Sequence, residues 1–333
     1  MSQHRDVVAV GASAGGVEAL RSLVAGLGPD FPGVILVVLH IARSAPSALP
    51  AILTRSGPLP AVTAADGAAL APGHIYVAPS DHHLLLLDGH IRLTRGPSEN
   101  GHRPAIDPLF RSVARAAGPR AAGVVLSGSR DDGAAGLAAI SAQGGATVVQ
   151  DPEDALCPWM PQAAIARVTP DHILPVAKIG ALLTGMADMD LPDSRPPRDR
   201  LLDFEVAVSD LRQDAPTTDE VAEPAGYGCP SCGGSLFQIE SDPLPRFRCR
   251  VGHAWSPESL LDEQAVALEG ALWIALRALE EKSALSRRMA HSRHSGSGAR
   301  FDDIANESES AASTIRKLID RLGTPTDGPL HTA

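Results

Sequence analysis

The first residues able to do chemistry are Gly11-Ala12-Ser13-Ala14-Gly15, placed between an aliphatic run and a helical pattern. G-x-S-x-G at a strand-to-helix turn lets small residues close a tight turn that lifts the serine hydroxyl out of the sheet. The following helix aims its N-terminal N–H groups and positive dipole end at the hydroxyl, where they can stabilise an oxyanion. Taken alone, the motif also fits a phosphate loop or plain tight packing. The dinucleotide pattern G-x-G-x-x-G fails, because Ser13 takes the place of its second glycine, and the G-K-[ST] ending of a P-loop is absent.

A serine nucleophile needs a base, and the base needs an orienting acid. The run Val34–Leu39 ends at His40, the best placed of the twelve histidines. A third run, Val124–Leu126, leads into SGSRDDGAAG, where Asp131 or Asp132 is either an acid or a plain helix N-cap. Three strand ends then offer Ser, His and Asp at the carboxyl edge of one sheet, where open α/β sheets place their sites.

The elements that must position these residues follow from the pattern. Strands are expected at 6–10, 34–39, 75–78, 124–126 and 147–150. Helices are expected after Ser13, marked by Val17, Leu20, Leu23, Val24 and Leu27, and at 133–143 and 161–167. Strands alternating with helices predict a mostly parallel sheet covered on both faces. Residues 82–87 and 91–93, joined by Asp88-Gly89, read as an antiparallel hairpin on that sheet. The chain divides into a catalytic domain at 1–186, an acidic Pro-rich linker at 187–225, a cysteine module at 226–256, a helical region at 257–322 and a flexible tail at 323–333. The LLDFEVAVSDL segment within the linker is expected to form a short element or to dock on a neighbour.

Composition narrows the function classes. Apolar residues make up 44% of the 333 residues and aromatics 3%, so the core rests on small aliphatic side chains. No run approaches a membrane span and the N-terminus lacks signal-peptide regions, so the expectation is a cytoplasmic protein with no membrane insertion. The formal charge of −10 is concentrated at 188–225, which holds eleven acidic and four basic residues. Nucleic acid is not expected as a partner. Four cysteines, one of them isolated, suit a reducing compartment.

GASAGGVEAL, the strand-end His40, APGHIYVAPSDHHL, HRPAIDPLF and SGSRDDGAAG occur together in this order. In this the chain resembles the chemotaxis protein-glutamate methylesterases, the CheB family, over roughly residues 5–186. The resemblance implies a doubly wound parallel sheet and a catalytic triad of Ser13, His40 and Asp132, with Asp132 rather than Asp131 as the acid. It implies hydrolysis of glutamyl methyl esters on a chemoreceptor-like protein, release of methanol, glutamine deamidation by the same acyl chemistry, and no cofactor for catalysis. Backbone N–H groups of Ala14 and Ser129 become the oxyanion-hole candidates. Arg103 becomes a substrate-positioning candidate, with anchoring of its own loop as the alternative. The sequence departs from the pattern at Ser129, where many members carry Met, and at Leu39, where Gln is common. With the first strand at residue 6, the receiver domain of the familiar enzyme is expected to be absent.

Cys229-x2-Cys232 is followed by Cys249-x3-His253, a spacing that suits a closed tetrahedral Zn²⁺ site of three thiolates and one imidazole. Reduced structural cysteines are the alternative. LFQIE and RFRCRV read as a hairpin turned at SDPLP, a zinc-ribbon-like module that metal would stabilise. Similar modules follow some stand-alone methylesterases of the resembling family. Arg246, Arg248 and Arg250 alternate along one strand and share one face, expected to be solvated, with contact to an acidic partner or nucleic acid as the alternative. Ser256-Pro257 starts a helix over 257–290. Its Leu261, Ala265, Leu268, Leu272, Ala275 and Leu279 form a seam for a homo-oligomer, a partner helix or its own domain. The competing functions are a catalytically silent signalling scaffold and a zinc-ribbon interaction protein.

Overall fold

The computed structural model describes residues 4–191, 196–197, 199–239, 244–291 and 298–322. The chain forms two compact units, 1–260 and 261–333. Most of the SDPLP turn and all of the 323–333 tail lie outside the described residues.

The first unit is built on β1 (Val7–Ala12), β2 (Val34–Leu39), β3 (Ala61–Thr63) and β4 (His74–Val77), then the hairpin β5 (His83–Leu87) and β6 (His90–Thr94), then β7 (Ala121–Val125), β8 (Ala146–Gln150) and β9 (His172–Leu174). Seven of these make one parallel sheet in the order β3-β4-β2-β1-β7-β8-β9. Its central strands are apolar throughout because helices cover both faces. The helices are α1 (Gly16–Ala25), α2 (Leu49–Ser56), α3 (Ile106–Ala117), α4 (Ala134–Ala142), α5 (Trp159–Arg167) and α6 (Val176–Ala187).

The pleat divides each strand between two cores. Val8, Val10 and Ala12 pack with Leu20 and Leu23 of α1 and Leu183 of α6. Val7 and Ala9 pack in the layer of Phe110 and Val113 from α3 and Leu137 and Ile140 from α4. Hairpin β5–β6 corrects one expectation: it is a separate two-stranded sheet rather than part of the parallel one. It packs on α3, with Leu84, Leu86 and Ile91 in the core that contains Leu109 and Val113. The edge strands β3 and β9 have only three residues each, too few to show a sequence period.

The 187–225 stretch contains α7 (Arg200–Ser209), capped by the Asp199 carboxylate, which accepts from the N–H groups of Leu201 and Leu202. Leu202 and Val206 enter the α3 core, and Glu205 is buried between them. After the short α8 (Thr218–Val221), strands β10 (Glu223–Gly228), β11 (Ser235–Ile239), β12 (Arg246–Cys249) and β13 (Ala254–Trp255) form an antiparallel sheet. Its small core is Leu236, Phe247, Trp255 and Leu260 around Cys229 and Cys249.

Helix α9 (Pro257–His291) runs into the second unit, where α10 (Gly298–Leu322) follows. Arg287 pairs with Glu309 at 2.7 Å and Arg316 pairs with Glu280 between these helices. Of the expected seam, Leu261 and Leu268 are exposed. Among the described residues no helix is long and apolar enough to cross a membrane.

Candidate active site

Register places the catalytic candidates. Ala12 lies opposite Leu39 and Gly11 opposite Val125, so the residues that follow β1, β2 and β7 emerge together at the carboxyl edge. Ser13 begins the turn into α1. Its N–H donates to the Ser127 carbonyl at 3.0 Å, and its own carbonyl accepts from Gly16 at 2.9 Å. Gly15 turns the chain at φ 73°, and a side chain there would meet Ser127 Oγ at 2.7 Å and Leu156 Cβ at 2.8 Å. Glycine is thus required both for the backbone conformation and for the close approach. Gly128 is as confined on the facing turn, since a Cβ there would meet Ser13 Cβ at 2.9 Å.

Ser13, His40 and Asp132 come together in one hydrogen-bonded line. Ser13 Oγ lies 3.2 Å from His40 Nδ1, and His40 Nε2 lies 2.7 Å from Asp132 Oδ2. Nε2 therefore carries the proton and donates to the carboxylate, while the Nδ1 lone pair faces the serine. The ring nitrogens face the serine and the carboxylate in the opposite sense from the serine-protease triad.

Asp132 is buried and saturated with donors. Oδ2 accepts from His40 Nε2–H and from the Ile106 N–H at 2.7 Å. Oδ1 accepts from the Asp107 N–H at 3.2 Å and lies 3.5 Å from Asn100 Nδ2. Burial alone would raise the pKa of Asp132, but the hydrogen bond and charge of His40, with the Ile106 N–H, outweigh it and hold the carboxyl at about 2. Neighbouring Asp107 is pushed up to about 7 by burial and then by the Asp132 charge. Its Oδ1 accepts from Gly133 at 3.1 Å and from Gly136 at 2.6 Å, which ties the start of α4 to α3.

The two aspartates left open by the local sequence separate clearly. Asp131 Oδ1 accepts instead from the hydroxyls of Ser256 at 2.8 Å and Ser259 at 3.1 Å. Among the described residues, the N–H groups of Ala14 and Ser129 have no acceptor. Arg103 is engaged by Asp81 at 2.8 and 2.6 Å and by the carbonyls of Arg95 and Gly96 at 3.1 and 2.9 Å. These four bonds all serve its loop-anchoring alternative.

Sequence reasoning did not single out His102 or Asn100. The His102 ring stacks on His40 and Asn100 reaches Asp132, both from the loop before α3. The only available signal was His102 itself, next to Arg103 in HRPAIDPLF.

The CheB methylesterase family model matches residues 8–183. The chain belongs to the CheB methylesterase family. A protein-glutamate methylesterase/protein-glutamine glutaminase of Geobacter metallireducens is 41% identical over 182 residues, covering 54% of this chain and 52% of the relative. One from Xanthomonas campestris is 38% identical over 185 residues, covering 54% and 51%. The chain thus spans about half the length of these curated relatives. The crystal structure of the Thermotoga maritima CheB methylesterase catalytic domain matches with a TM-score of 0.52 at 30% identity, over 56% of this chain and 99% of that one.

Outside this CheB domain, Cys229, Cys232, Cys249 and His253 form a cluster able to bind a metal, with their ligand atoms all within 4.8 Å of one another. Cys232 Sγ is 3.8 Å from Cys249 Sγ, which is 3.6 Å from His253 Nδ1. Thiolates on one tetrahedral Zn²⁺ stand about 3.8 Å apart, given Zn–S bonds of about 2.3 Å. Trp255 Nε1–H donates to Cys229 Sγ at 3.4 Å, an outer-shell bond that favours the thiolate form.

The arginine face expected to be solvated is corrected. Arg246 and Arg248 are buried among Glu99, Glu205 and Arg111. Arg248 donates to Glu205 at 2.8 Å and to Glu99 at 3.0 Å. Arg250, beyond the end of β12, stays exposed near Asp219.

Proposed function

We propose that this chain is a serine hydrolase that removes methyl esters from glutamate side chains of a chemoreceptor-like protein and releases methanol. The Ser13–His40–Asp132 line at the sheet edge is the observation that carries this reading. Ser13 Oγ attacks the ester carbonyl as His40 Nδ1 takes its proton. The tetrahedral oxyanion is met by the N–H groups of Ala14 and Ser129, which have no competing acceptor among the described residues. Collapse expels methanol, which leaves with the proton from His40. Water then attacks the glutamyl ester of Ser13 with His40 again as base, giving glutamate and free Ser13. Asp132 holds the ring in the Nε2–H form and stabilises its cation. With a glutamine side chain, the same sequence expels ammonia, so deamidation is a second outcome of this site.

The residues of the cysteine module fit Zn²⁺, with four ligands and a closed site that supplies structure rather than catalysis. Catalysis itself requires no cofactor. The thiolate cluster suits the cytoplasm, where cysteines stay reduced.

Methanol release from methyl-esterified chemoreceptor membranes, with wild type and Ser13→Ala compared, tests the reaction and the substrate class together. Release by the wild type alone is expected. Release by both proteins contradicts the nucleophile, and release by neither contradicts the substrate class.

A further inference from the structure

The loop that carries Asn100 and His102 onto the triad is held from the other side by the cysteine module. The Asn100 N–H donates to the Ala254 carbonyl at 2.8 Å, and the Ala254 N–H donates to the Ser98 carbonyl at 3.3 Å. Strand β13 therefore pairs with the loop at Glu99 through a parallel bridge. The Ser256 N–H donates to Asn100 Oδ1 at 2.9 Å, which turns the Asn100 amide so that Nδ2 faces Asp132. Ser256 Oγ holds Asp131, the residue before the catalytic aspartate. Between Asn100 and Ser98, the buried Glu99 carboxylate accepts from Arg111 of α3 at 2.5 Å and from Arg248 of β12 at 3.0 Å.

The gripping residues are neighbours of the metal ligands in the chain. Arg248 precedes Cys249, Ala254 follows His253, and Ser256 lies three residues beyond it. Arg248 also donates to the Gly252 carbonyl at 2.6 Å, closing the turn between Cys249 and His253. A metal on those two ligands would fix the turn that presents Arg248, Ala254 and Ser256 to the loop. The loop in turn sets Asn100 against Asp132 and His102 against His40.

We propose that the metal-bound cysteine module is a positioning element of the triad, acting through Ser256 and Asn100 on Asp132 and His40. This rests on the metal and triad assignments above. It gives the module an intramolecular role: loading the four-ligand site raises the reactivity of Ser13.

The test uses the full chain. Zinc is removed with a chelator and then restored, and metal content, far-UV circular dichroism and two active-site signals are followed. The first signal is the low-field proton resonance of His40 Nε2–H, assigned by its loss in His40→Gln. The second is the rate at which a fluorophosphonate labels Ser13. Stripping should leave the dichroism of the parallel-sheet body, shift or broaden the resonance and slow labelling by on the order of 10- to 100-fold, with both restored by zinc.

Because metal removal disturbs the module itself, Asn100→Gly provides a second arm. Asn100 has φ 50°, which glycine adopts freely, so this variant loses the amide but not the turn. It should keep its zinc and show the same changes in resonance and labelling. Loss of zinc with both signals unchanged overturns the proposal, as does a wild-type Asn100→Gly profile. Absence of zinc from the purified wild type removes the metal from the account, while the Asn100→Gly arm still reports on the loop. Absence of labelling with the His40 resonance intact would instead fault the esterase reading.

Discussion

His102 lies flat on His40, with ring centroids 3.8 Å apart and planes inclined by 12°. Burial, followed by the proximity of His40, lowers the pKa of His102 to about 4. His102 is thus a neutral plate against the His40 ring and does not compete for its proton. His102→Ala should lower kcat about tenfold with little change in KM, because the ring then tilts off the Ser13–Asp132 line. His102→Phe should recover most of the loss. Steady-state methanol release measures both, and a KM effect without a kcat effect would place His102 in substrate binding.

Asp132 leaves no room for an amide. Its two oxygens face four donors, from His40, Ile106, Asp107 and Asn100. In Asp132→Asn, one of those sides becomes an NH₂ group set against N–H groups. Either the amide stands at Oδ2, where His40 and the Ile106 N–H lose their acceptor, or it stands at Oδ1, where the Asp107 N–H and the Asn100 amide are left unpaired. Loss of kcat on the order of 10⁴-fold is expected, as for triads deprived of the acid, together with a measurable fall in thermal stability.

The buried ion cluster should be less tolerant than its surface counterparts. Arg248 is fully buried and bonds both Glu99 and Glu205. Arg248→Met leaves two carboxylates short of a partner, and about 3–5 kcal/mol of stability should be lost in denaturant titration. Burial raises the pKa of both glutamates, but Arg111 and Arg248 acting on Glu99, and Arg111, Arg246 and Arg248 acting on Glu205, bring them below the ordinary value of 4.5. A carboxylate with a depressed folded value contributes stability above that pH and loses it as pH falls further. Acid unfolding of the first unit should therefore begin below about pH 4.5.

His83 adds a separate pH dependence. It is fully buried, with Nε2–H donating to the Pro97 carbonyl at 3.0 Å and Nδ1 accepting from the Ala105 N–H at 3.2 Å. Burial lowers its pKa from 6.5 to about 4. The unfolded chain then binds the extra proton between those values. The stabilisation is complete above pH 6.5 and is lost as pH falls towards 4, by about 3 kcal/mol at most. Urea titrations at pH 7.5 and pH 5 should show the drop in the wild type and a smaller one in His83→Gln.

What the sequence made legible was local. Ser13, His40 and Asp132 each stand at the end of a strand or in the turn beyond one, and a parallel sheet brings such ends to one edge whatever the distance along the chain. The spacing of Cys229, Cys232, Cys249 and His253 was equally readable, because each pair sits on its own tight turn. Arg248 was misread because its partner Glu99 lies 149 residues away, and an alternating Arg pattern looks the same on a wet face and over a buried carboxylate. Glu205 gave the one usable sign, an acidic residue set between Leu202 and Val206 on the apolar face of α7. Asn100 and His102 lie in a loop without period, and their roles exist only once the cysteine module has closed over it.

Ser13 as the nucleophile is open to a direct chemical test. The full chain would be treated with a fluorophosphonate and the modified peptide located by mass spectrometry, alongside Ser13→Ala and Asp132→Asn. A single adduct on the peptide containing Ser13, absent from Ser13→Ala and formed far more slowly in Asp132→Asn, is the predicted result. An adduct on another serine, or wild-type protein that releases methanol while Ser13 stays unmodified, would contradict it.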